Sequence, residues 1–64
     1  MKIDRKKVEG VMAAHGITPK IVAERLGILP QALSAMWSGK RESRIATVIK
    51  LADALRVKPE DITV

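Results

Sequence analysis

Cysteine is absent from this chain of 64 residues, which removes a disulfide framework and a thiolate metal site as sources of stability. That absence also fits a reducing compartment. Phenylalanine and tyrosine are absent too, and Trp37 is the sole aromatic residue. Single-stranded nucleic acids are held largely by bases stacking on aromatic side chains, so that mode of binding is not expected. The one histidine, His15, has no cysteine or spaced carboxylate pair to form a metal site with it, and no metal or cofactor is expected. Gly10, Gly16, Gly27 and Gly39 stand singly, so no phosphate-cradling loop exists. Nothing points to an enzyme. No apolar run approaches the ~18 residues of a membrane span. The charged N-terminus is followed by no apolar stretch that would direct secretion.

What is present is positive charge and helical periodicity. Twelve Lys and Arg against seven Asp and Glu leave a net charge of +5. That balance suits a polyanion, most simply duplex DNA, although many small domains are basic for solubility alone. Residues 1–64 suffice for a single domain, and a chain this short buries only about 60% of its unfolded surface. A compact helical core is the realistic solution.

Asp4 reads as the N-cap of a helix over Arg5–His15 that ends at Gly16, with Val8, Val11, Met12 and His15 facing inward. Arg5, Lys6 and Lys7 crowd its first turn against the helix dipole. They either face phosphate or form a solvated end, which is the plainer expectation. Gly10 costs about 1 kcal/mol relative to Ala in a helix interior, which close approach of a neighbouring helix would explain. Ser43 reads as the cap of a helix running to Leu55. Ile45, Val48, Ile49, Ala52 and Leu55 would close the core, with Leu51 at the edge of their stripe. Val57 follows, and Pro59 starts a final turn or helix in which Ile62 points inward. No strand is predicted.

The organising stretch runs from Thr18 to Gly39, TPKIVAERLGILPQALSAMWSG. Thr18 is an N-cap and Pro19 fits the first helical position, where its missing donor costs nothing. Val22, Ala23 and Leu26 form one helical face. Gly27 follows at once, where a left-handed residue reverses the chain. Leu29 and Pro30 then open a second helix whose buried face is Leu33, Met36 and Trp37, closed by Gly39. Small Ala23, turning Gly27 and branched Leu33 are the sterically demanding sites of a helix-turn-helix. An ordinary helical hairpin with a glycine in its loop is the alternative.

These residues resemble the phage Cro/CI-repressor type of helix-turn-helix domain, also met in regulators of the xenobiotic-response-element type. The likeness continues through GKR at Gly39–Arg41 and IATVIKLADALRV at Ile45–Val57, and PEDI at Pro59–Ile62 looks like the start of a fifth helix. The resemblance implies an all-α, compact, five-helix lambda-repressor-like domain. It implies a cytoplasmic, bacterial or phage transcriptional regulator, acting as a repressor that occupies an operator as a weak homodimer on paired half-sites.

The helix Pro30–Trp37 would then enter the major groove. Its outward positions are Pro30, Gln31, Ser34 and Ala35, with Ser38 near the end. Gln31 matches a family position that often reads bases, and glutamine pairs bidentately with adenine. Ser34 discriminates poorly, and Ala35 offers a methyl contact. Lys20, Lys40, Arg41 and Arg44 flank the groove as phosphate contacts.

The chain also departs from the family pattern. Pro19 and Pro30 stand where hydrogen-bonding residues are frequent, and Leu29 where Ser or Thr usually caps. Met12 and Trp37 stand where many members place an arginine and a glutamate. The rival reading is a protein-interaction module, or the antitoxin of a toxin pair, with weak base reading. Exposed Ile21 and Leu29 would favour it.

Overall fold

The structure, a computed structural model, describes residues 1–38 and 42–64. Among the described residues four α-helices follow in order: α1 Arg5–His15, α2 Pro19–Leu26, α3 Pro30–Met36 and α4 Ile45–Leu55. A 3-10 turn, Pro59–Asp61, comes last. Among the described residues no helix is long and apolar enough to cross a membrane.

Local chemistry sets most helix boundaries. Asp4 Oδ1 accepts the backbone N–H groups of Lys6 and Lys7 at 3.0 and 3.4 Å. Thr18 Oγ1 accepts that of Ile21 at 3.3 Å. Three helices end in the same motif, a left-handed residue followed by an apolar one. Gly16, Gly27 and Arg56 hold φ of 64°, 70° and 59°. The next residues, Ile17, Ile28 and Val57, donate back to Met12, Ala23 and Ala52 at 2.9, 3.0 and 2.9 Å. This is the 6→1 bond of a Schellman motif. In each case the apolar side chain tucks against the core.

α2 is central and packs against both α3 and α4. Val8 and Met12 of α1, Val22 and Ala23 of α2, and Leu33 of α3 meet Trp37, Ile3, Ile62 and the α4 residues Val48, Leu51, Ala52, Ala54 and Leu55 in one core.

Several expectations need correction. The fifth helix is only the turn Pro59–Asp61, because Ile62 to Val64 pair with the N-terminus instead: Asp4 N–H donates to Ile62 O at 2.8 Å and Val64 N–H to Lys2 O at 3.0 Å. Arg44, not Ser43, occupies the N-cap of α4, and no side chain caps it. On α4 itself, Ile45 and Ile49 are 63% and 45% exposed, whereas Leu51 is fully buried. The buried set Val48, Leu51, Ala52 and Leu55 follows the i, i+3, i+4, i+7 rule, rotated away from the isoleucines. His15 is exposed and Val11 only half-buried. Gly10 is exposed, and a methyl group there would meet nothing within 4 Å, so no neighbouring helix requires it.

The residues before α1 form a strap. Ile3 is 1% exposed and bridges antiparallel to Thr63, and Lys2 bridges antiparallel to Glu42. Ser43 N–H donates to Met1 O at 2.7 Å, and the Met1 amine donates to Ser43 O at 3.1 Å. The strap thereby ties the C-terminal residues to the segment that enters α4.

Candidate nucleic-acid interface

The turn between α2 and α3 is built on Gly27, whose left-handed backbone lets Ile28 fold under. Leu29 is extended, with φ −77° and ψ 148°, and no side chain caps α3. The residue before a proline is driven to that extended region, so Pro30 sets the conformation that the missing cap would otherwise help to hold. Leu29 O accepts from Ala32 and Leu33 N–H at 3.0 and 3.3 Å and carries the first turn.

α3 runs from Pro30 to Met36, with Trp37 as its C-cap rather than its last helical residue. Its inner face is anchored by Leu33 at 0% and Trp37 at 7% exposure. That anchorage turns Gln31, Ser34 and Ala35, at i, i+3 and i+4 spacing, toward solvent. Pro30 is exposed beside them. At 1.5 Å per residue, a helix of this length spans roughly 10 Å, comparable to the width of a major groove.

Lys20 lies in the first turn of α2 and Arg44 at the N-cap of α4, both exposed. Neither has an ion-pair partner among the described residues. Gly39, Lys40 and Arg41 lie outside the described residues. Two of the crowded cations of α1 have partners: Arg5 Nε bonds Glu9 Oε1 at 2.8 Å, and Lys7 Nζ donates to Thr63 O at 2.8 Å, while the Lys6 ammonium is exposed with no partner among the described residues. The Lys7 contact replaces the solvated end expected for it.

Two features of the structure have no local signal in the sequence. Arg25 Nη1 donates to Ala54 O at 2.6 Å, pinning the end of α2 to the end of α4. The same guanidinium lines a shallow cleft with Lys50, Asp53 and Arg56. Arg25 and Arg56 sit at the negative end of the α4 dipole, which favours cations there, whereas Lys50 lies mid-helix. The second feature is the strap, which brings Lys2 beside Glu42. Among the described residues no group of three or more His, Cys, Asp or Glu comes together around a metal position.

A turn-reversed helix pair whose second helix is locked on its inner face is the frame on which major-groove binding is built in helix-turn-helix proteins. Neither a curated protein nor a solved structure matches the chain. A family model does, over residues 7–64, and its description is Cro/C1-type HTH DNA-binding domain. The chain therefore belongs to the Cro/C1-type family of helix-turn-helix DNA-binding domains.

Proposed function

We propose that this domain recognises a specific duplex sequence with α3 in the major groove and acts as a transcriptional repressor by occupying an operator. One observation carries the reading: an outward row of Gln31, Ser34 and Ala35 on a helix whose inner face is locked. Gln31 reads an adenine edge, while Ser34, Ala35 and Pro30 supply tolerant contacts, so part of the specificity comes from DNA shape. Lys20, Lys40, Arg41 and Arg44 hold the backbone, and two copies occupy paired half-sites.

Selection of bound sites from a random duplex pool, followed by binding titrations, tests this. Gln31→Ala is expected to lose ~1–3 kcal/mol on the selected site and much less on random DNA. Equal losses on both would remove Gln31 from the reading set. Arg44→Ala is expected to weaken all sequences alike and to flatten the slope of log K against log salt by about 0.9.

A second reading rests on exposed apolar surface. Leu29 is 71% exposed, and Ile45 and Ile49 are 63% and 45% exposed, which suits a protein partner such as a toxin. Ile21 supports it less, being half-buried. Failure of the domain to bind random duplex even at low salt would favour this reading.

A further inference from the structure

The strap carries a cation to the segment that enters α4. Ile3 is buried, and side chains alternate along extended backbone, so Lys2 faces the opposite way, into solvent. Its backbone is pinned on both sides, by the bridge to Glu42 and by the Val64 N–H bond to Lys2 O at 3.0 Å. Directly opposed residues hold their Cβ atoms about 4.5–5.5 Å apart, and two further residues span at most ~7 Å. Lys2 and Arg44 therefore lie on the order of 10 Å apart, within one short run of DNA backbone. Among the described residues the Lys2 ammonium has no hydrogen bond or ion pair; of the α1 cations, Arg5 and Lys7 have partners and Lys6 has none, but only Lys2 is set by backbone pairing beside the segment that enters α4.

We propose that Lys2 is a DNA-backbone contact, held beside Glu42 by the N-terminal strap and acting together with Arg44. The inference rests on the reading of Arg44 as a phosphate contact. Its competitor is that Lys2 merely helps to cancel the carboxylate of Glu42, which the Met1 ammonium already meets at 3.6 Å. Salt titrations of binding to a labelled random duplex separate these outcomes, with thermal melts confirming that each exposed-site variant is folded.

Lys2→Ala is expected to flatten the log K against log salt slope by about 0.9 and to weaken selected and random DNA by the same factor. Lys2→Arg is expected to preserve both. The loss on Lys2→Ala is expected to persist in a Glu42→Gln background. An unchanged slope for Lys2→Ala, with Arg44→Ala still flattening it, overturns the proposal and leaves the functional reading standing. A loss that vanishes in the Glu42→Gln background also overturns it, in favour of cancellation. If Arg44→Ala leaves the slope unchanged, or the wild-type domain binds no duplex, the phosphate reading falls and this inference with it.

Discussion

Arg56 occupies the same place in its helix-ending motif as Gly16 and Gly27, yet it alone carries a side chain, at φ 59°. A left-handed L-residue is strained by roughly 1–2 kcal/mol, because Cβ crowds the following carbonyl. Glycine escapes that strain but loses more chain entropy on folding, by roughly 0.5–1 kcal/mol. Arg56→Gly is therefore expected to stabilise the domain by up to about 1 kcal/mol, raising Tm by a few degrees in a thermal melt. Gly10 is the reverse case, a glycine inside α1 with open space where a methyl would go. Gly10→Ala is expected to stabilise by ~0.5–1 kcal/mol in the same assay. A fall in Tm for either variant would contradict these backbone assignments. The motif at Gly16 and Gly27 is legible because glycine advertises it. At Arg56 nothing in the residue type does, and the following Val57 is the one local hint.

At the scale of elements, α3 is the least supported helix, short and without a side-chain cap at Leu29. Because Leu29 is 71% exposed, replacing it forfeits little burial. Leu29→Ser supplies the missing acceptor and is expected to stabilise by ~1 kcal/mol in urea melts. No gain would mean that Pro30 and the Leu29 carbonyl already satisfy the first turn. The same variant separates the two functional readings, since it removes the most exposed side chain of the proposed partner surface and touches no position proposed to read bases. α4 illustrates the limit of periodicity. Its apolar residues cover a wider arc than its neighbours do, so the pattern identifies a helix but not which edge of the arc is covered. Leu51 took the place expected for Ile45 and Ile49.

Across the whole molecule, Met12 of α1 and Trp37 at the end of α3 are 8% and 7% exposed and share one core. Replacing a buried ion pair by packed apolar groups is often neutral or stabilising, so a joint departure from the family pattern at these two positions is physically reasonable. Trp37→Glu is expected to lose ~3–5 kcal/mol, through both an unpaired buried carboxylate and a lost apolar side chain. Adding Met12→Arg is expected to recover part of that loss, with a coupling of about 0.5–3 kcal/mol in a double-mutant cycle. A coupling near zero, with both single variants folded, would show that the two side chains do not meet and that Leu33 and Met36 anchor α3.

The chain by itself determined what short-range chemistry controls. Asp4 and Thr18 cap because their side-chain oxygens reach N–H groups two or three residues ahead. Gly27 turns because only its own φ is at issue, and the outward row of α3 follows from helical spacing once Leu33 and Trp37 are apolar. The tertiary structure decided what depends on residues far apart. Arg25 reaches Ala54 across 29 positions and Lys7 reaches Thr63 across 56. Ile3 is buried, and Lys2 set beside Glu42, by backbone pairing with segments that carry no periodic signal. Such pairings are selected by the free energy of closing the whole core. A single apolar residue between Lys2 and Asp4 has no local pattern from which that choice can be read.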